Sequence, residues 1–296
     1  MKLNRTLIIF VLGIFAANFA QAQLKKRIAV SRFEDRSGSG YAHVGEGVAD
    51  MLATALVKSG KFIVIERQDL DKVLKEQNLG KSGIVTEQSA AKVGKVLGAE
   101  LLVIGSVSEF GTSEREIGGN VPMFGAAVKR STARAVVDLR LVDATSSEVV
   151  AAEKEEGSES TTGVSAHYEK IDFRDVSAWD NTDIGKAARE AVDGCVELIA
   201  ENMAKVPWSG RILKVNADGT VLMKPGSEGN VSVGMEFVVY HEGEDLIDPD
   251  TGASLGHEEE KAGKVKVLED MLKGKACKAK VVEGSGFKVG DVVREK

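Results

Sequence analysis

Apolar runs and helical patterns alternate along the first hundred residues. Three short runs rich in β-branched or aliphatic side chains predict strands at 27–33, 62–65 and 101–104. Apolar residues recur at helical spacing in three stretches between them: Val48 to Leu56, Val73 to Leu74 after a cap at Asp69, and Ala90 to Leu97 after a cap at Thr86. This order of strands and helices is typical of an α/β unit whose sheet is covered by helices.

A clear alternation follows, from about Val128 to Val142. One parity is apolar and the other is mostly charged, which predicts a strand with one wet face. The apolar parity holds Ala133, Ala135, Val137, Leu139 and Leu141. Residues 143–147 can turn the chain, and 148–152 return it as a hairpin partner. An apolar stripe over about 184–204 then predicts a helix that packs on the core.

Beyond Pro207 to Gly210, seven short strands are interrupted by glycine at close intervals. They are predicted at 211–215, 220–223, 235–240, 253–255, 263–268, 276–282 and 291–294, with turns at 216–219 and 248–252. This spacing predicts a small antiparallel barrel or sandwich. The expected organisation is a signal peptide at 1–22, a three-layer-like α/β domain with a mixed sheet and a β-hairpin at 23–206, and a small all-β domain at 207–296.

The first segment predicts export. Lys2 and Arg5 precede an apolar run, and Ala20-Gln21-Ala22 has the small-x-small pattern of a cleavage site, so we expect cleavage between Ala22 and Gln23. The run is shorter than the ~18 to 20 residues of a membrane-spanning helix. Gln23 stands where a bacterial lipoprotein carries its acylated cysteine, so no lipid anchor is expected. The predicted location is the periplasm, with association with the outer membrane left open.

Composition narrows the class of protein. With 43% hydrophobic and 28% charged residues in 296, the chain is an ordinary globular protein. Its net charge of −6 lacks the basic footprint of a nucleic-acid binder, so no nucleic-acid partner is expected. Cys195 and Cys277 lie on different predicted elements. Two separate buried thiols are favoured over one disulfide bridge.

Three patterns suggest chemistry but fail in detail. Ser37-Gly38-Ser39-Gly40-Tyr41-Ala42-His43 follows a strand, as a dinucleotide loop does, but His43 stands where a glycine is needed. Residues 248–252 resemble a calcium loop, but Gly252 replaces a ligand. His257 with 258–260 is typical of a solvated charge run. We expect no catalytic residue, cofactor or metal site, and an enzyme is the least favoured function.

Several segments together resemble the curli-secretion channel subunits, the CsgG-like family. They are Arg27 to Val30 with Phe33 and Asp35, Leu52 to Leu56 leading to Phe62 to Arg67, Leu70 to Glu76, and Leu97 to Val107. The likeness covers about 27–205. The fold also looks like that of the periplasmic activators of penicillin-binding proteins. The tail from about 208 looks like the C-terminal barrel of flagellar assembly protein T.

The resemblance implies a non-enzymatic envelope protein that assembles into rings and, in channel members, exports unfolded amyloid subunits. Channel members place hairpin arms in a shared membrane barrel, and each strand needs ~9 to 11 residues with one apolar parity. The matching arms here, about 112–134 and 153–175, carry many charges. The constriction loop of the channels corresponds to a short loop with bulk only at Tyr41 and His43. Its candidate residues for a partner or a constriction are Ser37, Gly38, Ser39, Gly40, Tyr41 and His43.

These observations favour one function, leave a second of a different class as the alternative, and leave a third as the least favoured. The favoured one is a periplasmic adaptor that contacts other envelope proteins and copies of itself, with its sheet recruiting a partner strand at an exposed edge. Its membrane association would be indirect. The alternative is an outer-membrane secretion channel for curli-like subunits whose oligomeric hairpins line a polar lumen. The third is an envelope hydrolase or nucleotide-binding enzyme.

Overall fold

The computed structural model describes residues 23–66, 70, 73, 93–94, 96–116, 129–163, 173–250 and 254–296. They form a mixed sheet packed with helices and a closed antiparallel barrel, which confirms the predicted fold class. The sheet strands are β1 (Lys26–Val30), β2 (Glu34–Asp35), β3 (Phe62–Ile65), β4 (Leu101–Glu116), β5 (Lys129–Asp143) and β6 (Val149–Gly163). The helices are α1 (Val44–Ser59), α2 (Val176–Trp179) and α3 (Asp183–Met203). The barrel strands are β7 (Gly210–Val215), β8 (Thr220–Lys224), β9 (Glu236–Ile247), β10 (Ser254–Met271), β11 (Ala276–Gly284) and β12 (Val292–Glu295).

The sheet has the strand order β3-β1-β4-β5-β6, with β2 added beside β4. β1 pairs in parallel with β3 and with β4, so Ile28 lies between Val64 and Leu101. β4, β5 and β6 are antiparallel neighbours. The apolar runs Ile28 to Val30 of β1 and Phe62 to Ile65 of β3 suit strands with both faces covered, and the alternation in β5 suits a strand with one wet face.

Helices α1 and α3 cover one face of this sheet with the main hydrophobic core. Thr182 caps the N-terminus of α3, because its hydroxyl accepts the N–H of Gly185 at 3.1 Å. Small residues bring α3 very close to β6. The carbonyl oxygen of Ala187 lies 1.9 Å from the position that a Cβ would take on Gly157. The predicted core helix is confirmed, and its buried stripe packs on β5 and β6.

The opposite face of β1 and β4 carries a second apolar cluster. Leu70, Val73, Val93 and Leu97 are helical and buried there, against Ala29, Leu102 and Val142 of the sheet. The predicted helix caps Asp69 and Thr86 lie outside the described residues. The predicted signal peptide also lies outside them, and the boundary between residues 206 and 207 stays a prediction.

Two sheet strands extend beyond the lengths expected for the core. β4 continues to Glu116 and β6 to Gly163, past the predicted ends at 104 and 152. These extensions contain mainly Gly, Ser, Thr and charged residues, and their ladders with β5 run without a break in pairing from Phe110 to Glu116. Apart from Val107 and Phe110, which are buried in the main core, the extensions are held in the sheet chiefly by main-chain pairing, so a search for apolar runs misses them.

The barrel closes in the order β10-β11-β8-β7-β12-β9 and confirms the predicted antiparallel barrel. Trp208 stacks on Phe237 in its interior, with ring centroids 5.1 Å apart. The strands expected at 235–240, 253–255 and 263–268 belong to one longer hairpin, because β9 continues to Ile247 and pairs with a continuous β10. Asp248 accepts the N–H of Asp250 at 2.8 Å in the predicted turn, of which residues 251–252 lie outside the described residues.

The two cysteines are free and buried in different cores, Cys195 beside the sheet and Cys277 in the barrel. The prediction of two separate thiols is confirmed. Burial raises the pKa of both thiols, that of Cys277 to about 12. Neither thiol therefore ionises near neutral pH, and neither is a nucleophile there.

The close approach of α3 to β6 predicts a sharp difference between two strand glycines. We expect Gly157→Ala to destabilise the fold by about 2 kcal/mol or more, because the added methyl collides with the α3 main chain. Gly111→Ala on β4 is the matched control, since nothing lies within 4 Å of its would-be Cβ. Urea unfolding measures both. Equal urea midpoints for the two variants would contradict the close packing of α3 on β6.

Candidate functional site

The loop between β2 and α1 is held by a series of local side-chain hydrogen bonds. Asp35 accepts the N–H of Ser37 at 3.0 Å and its hydroxyl at 2.6 Å. The Ser37 hydroxyl then accepts the N–H of Ser39, and the Ser39 hydroxyl accepts the N–H of Tyr41, each at 3.3 Å. Serine at alternate positions thus satisfies the main chain two residues further on. The repeated Ser-Gly pattern has this local explanation.

The glycines of the same loop supply its unusual backbone. Gly38 and Gly40 have φ of +62° and +78°, the left-handed region that side chains avoid, and no heavy atom lies within 4 Å of a would-be Cβ on either. His43 also takes a left-handed conformation, at φ 61°, directly before α1. Its Nδ1 lies 3.8 Å from the Glu46 carboxylate. The loop is therefore shaped by backbone geometry and local hydrogen bonds.

Tyr41 does not project freely from this loop. Its ring contacts Phe173 and Phe110, at centroid distances of 5.1 and 6.2 Å, and Trp179 completes the cluster behind them. The indole N–H of Trp179 donates to the Phe173 carbonyl at 3.2 Å. Tyr41 could be singled out in the sequence for its bulk, but the other rings of the cluster could not, because they lie far from it in the chain and share no motif. A constriction or partner role for residues 37–43 stays a prediction.

The outer parts of three sheet strands form a second candidate surface, here called the distal strands: residues 109–116 of β4, 129–136 of β5 and 153–163 of β6. One face of this surface is crossed by a row of charges. Arg134 lies 2.6 Å from Glu109, and it binds both carboxylate oxygens of Glu156 at 2.6 and 2.8 Å. This two-point hydrogen bond holds the pKa of Glu156 below its usual range.

The other face of β6 makes polar contacts with the N-terminal half of α3. Lys186 pairs with Glu159 at 3.3 Å, and the Thr161 hydroxyl donates to Asp183 at 2.8 Å. Further along, Glu155 faces α3 as well, where burial raises its pKa and the charges of Glu153 and Glu197 add to the effect. Both faces of the distal strands therefore carry ionised or hydrogen-bonding side chains.

The outer edge of β6 is also blocked by a side chain. The carboxylate of Glu190 on α3 accepts the N–H of Ser158 at 2.8 Å. That amide points away from β5 and would otherwise be open to a neighbouring strand. Charged edge residues such as Lys154 and Glu156 are a common protection against unwanted strand pairing. The predicted arms also include residues 117–128 and 164–172, which lie outside the described residues.

The described residues contain neither a metal-binding group nor a membrane-spanning helix. Among the described residues, no group of three or more His, Cys, Asp or Glu side chains is placed to hold a metal ion. His257 instead lies 3.6 Å from the Glu242 carboxylate. Within the same part of the chain, no helix is long and apolar enough to cross a membrane.

The fold defines a class of protein in which an α/β sheet domain is joined to a small barrel. Comparison of the sequence with known families identifies the family. The chain belongs to the family described as curli production assembly/transport component CsgG, which it matches over residues 14–225. The match extends through β8 and so includes the sheet, the distal strands and the first barrel strands. It confirms the resemblance found in the sequence and supports an envelope-associated, non-enzymatic role. No curated protein matches the chain.

Several solved structures resemble the chain at low similarity. The hypothetical protein CT253 from Chlamydia trachomatis is 15% identical, with a TM-score of 0.43 over 61% of this chain and 99% of that one. The LpoB C-terminal domain from Escherichia coli is 17% identical, with a TM-score of 0.33 over 45% and 83%. The PelC dodecamer from Paraburkholderia phytofirmans is 14% identical, with a TM-score of 0.29 over 60% and 87%. The likeness of the tail to the C-terminal barrel of flagellar assembly protein T stays a prediction.

The packing of Tyr41 can be tested against a free role in the loop. We expect Tyr41→Ala to lower the free energy of unfolding by about 2 kcal/mol, since the variant loses two aromatic contacts and leaves a gap beside Phe173. Ser39→Ala, which removes only one loop acceptor, is the control and is expected to cost about 1 kcal/mol or less. Urea unfolding distinguishes them. A Tyr41→Ala variant as stable as the parent would show that the ring is free to serve a constriction.

Proposed function

We propose that this protein is a non-enzymatic periplasmic adaptor that acts through contacts with other envelope proteins and with copies of itself. Its distal strands work in water and do not enter a membrane. The observation that carries this proposal is the presence of polar and ionic contacts on both faces of those strands. A strand in a membrane barrel needs one face that lipid tails can touch.

The composition of β6 makes the argument quantitative. Residues 153–163 have the length of a membrane-crossing strand, and they contain four glutamates, one lysine and no hydrophobic side chain. A lysine or arginine on the lipid face at mid-membrane costs about 2 to 4 kcal/mol, and an acidic residue somewhat less. With neither parity apolar, no burial of apolar surface offsets these costs. Repetition around a ring would multiply them.

The two edges of the sheet differ in a way that supports association at one of them. β6 is protected by charges and by the Glu190 carboxylate, whereas β3 consists only of Phe62, Ile63, Val64 and Ile65 and, within the described residues, pairs with β1 alone. An uncharged edge rich in β-branched residues is the kind that accepts another strand. In this proposal copies of the chain associate through the β3 edge.

The channel remains the competing function because the family match spans the same strands. The decisive experiment adds the purified mature protein to dye-loaded liposomes and, separately, extracts cell membranes with mild salt. We expect no dye release and release of the protein by salt. Two variants, Glu156→Lys in the distal strands and Glu148→Lys in the β5–β6 turn, should also release no dye. Leakage whose ion selectivity changes with Glu156→Lys but not with Glu148→Lys would overturn the adaptor proposal.

Association through β3 gives a separate expectation. We expect Ile63→Lys to shift the mature protein from an oligomer to a smaller species in sedimentation velocity, because a charge in the joined edge must be buried against the added strand. Lys154→Glu on β6 is the control and should leave the oligomer intact. An oligomer that survives Ile63→Lys but is lost with Lys154→Glu would place the association at the other edge.

A further inference from the structure

One buried carboxyl group joins the sheet to the barrel. Glu100 directly precedes β4 and is 5% exposed. Its Oε2 accepts the N–H of Arg27 on β1 at 2.6 Å. Its Oε1 accepts both the N–H of Ser209, at 3.0 Å, and the Ser209 hydroxyl, at 3.3 Å. Ser209 stands just before β7, so a single side chain binds the centre of the sheet and the entrance to the barrel.

The main chain of Glu100 is fixed as firmly as its side chain. Its N–H donates to the Arg27 carbonyl at 2.9 Å, and its carbonyl accepts the N–H of Ala144 at 3.0 Å. The backbone of Glu100 is therefore fixed beside β1, and the carboxyl group can leave the junction only by breaking its bond to the Arg27 N–H. Movement of the barrel relative to the sheet must instead break the bonds to Ser209.

Several charged groups surround this carboxyl group. Arg27 and Lys26 approach from β1 and Lys224 from β8, with Arg211 of β7 near Lys224 and Glu295 of β12 near Lys26. Arg27 donates to the Leu97 carbonyl at 2.8 Å, and Lys26 donates to the Met203 carbonyl. The partners of the Glu100 carboxylate in the described structure are N–H and O–H groups, with no direct ion pair. The carboxyl group is thus removed from water and, among the described residues, has hydrogen-bond donors but no cation in direct contact.

We propose that Glu100 is a proton-operated latch between the sheet and the barrel: the junction tightens when this carboxyl group takes up a proton and loosens when it gives the proton up. The proton is exchanged with solvent and no covalent bond changes. This device goes beyond the adaptor function, since it would set how rigidly the barrel is carried by the sheet. It does not depend on how the chain associates.

The direction of the effect follows from proton binding in the two states. Burial raises the pKa of Glu100 from 4.5 to about 7 in the closed junction, despite the hydrogen bonds from Arg27 and Ser209 that oppose the shift. Below pH 4.5 both states are protonated, so the junction does not respond to pH. Between that pH and about 7 the closed state alone keeps the proton, and its stability falls as the pH rises. Burial also lowers the pKa of Lys26 and Lys224, which act at alkaline pH.

The test measures opening of the junction by hydrogen exchange at the amides of Arg27 and Ser209, corrected for the intrinsic pH dependence of exchange. From pH 5.5 to 8 we expect opening of the wild-type junction to increase roughly 30-fold. Glu100→Gln cannot titrate and should change by about 3-fold or less over the same range. Glu201→Gln, an exposed carboxylate on α3, is the matched control and should behave like the wild type.

Two results would overturn the latch. The first is a wild-type protection of Ser209 that is constant from pH 5.5 to 8. The second is a Glu100→Gln protein with the full wild-type pH response. If Glu100→Gln does not fold, the pH profile of the wild-type protein alone decides. The latch requires that opening of the junction increases as the pH rises and reaches half of its maximum near pH 7.

Discussion

Every ionised side chain on the distal strands needs either water or a partner of opposite charge. This requirement determines how the charges, helix α3 and the β6 edge are arranged around the sheet. Arg134 meets it on one face by pairing with Glu109 and Glu156. α3 meets it on the other face with Lys186 and Asp183, and it can approach closely enough because β6 carries Gly157 where the helix crosses. The same helix closes the β6 edge with Glu190. Charge, helix packing and edge protection thus form one arrangement, which leaves β3 as the uncharged edge of the sheet.

The barrel is joined to this sheet by more than a linker. Leu24, just before β1, is buried in the barrel core, and the N–H of Lys25 donates to the Gly229 carbonyl at 3.0 Å. Asn230 holds the carbonyl of Gln23 at 2.7 Å. The chain therefore enters β1 already in contact with the barrel, and Glu100 adds a polar connection at the other side of the same strand. A barrel fixed in this way can present a second surface at a defined position relative to the sheet.

Much of the fold could be predicted from the sequence, because apolar periodicity reports burial. The strands at β1, β3 and β5 and the helix α3 follow directly from runs, alternation and a helical stripe. The extensions of β4 and β6 could not be found in this way, since residues such as Ser113 and Ser160 are held by main-chain ladders that leave no apolar signature. The family could be recognised because short blocks around Glu66 and Glu100 keep their order along the chain.

The candidate sites were less predictable than the fold. The role of Glu100 in the junction depends on Ser209, more than a hundred residues away, and no local pattern joins the two. Tyr41 was singled out for its bulk in a small loop, but its contact with Phe173 depends on how a distant turn returns to the sheet. Long-range contacts of this kind require the three-dimensional fold.

Labelling at both faces of the distal strands tests most directly whether these strands stay in water. Cys195 and Cys277 are buried and poorly ionised, so Ser160→Cys and Thr161→Cys each offer one reactive thiol for a polarity-sensitive fluorophore. Adjacent strand positions point to opposite faces. The account predicts a water-like emission at both positions with and without liposomes. A blue-shifted emission at one position and not at the other, appearing only with liposomes, would contradict it.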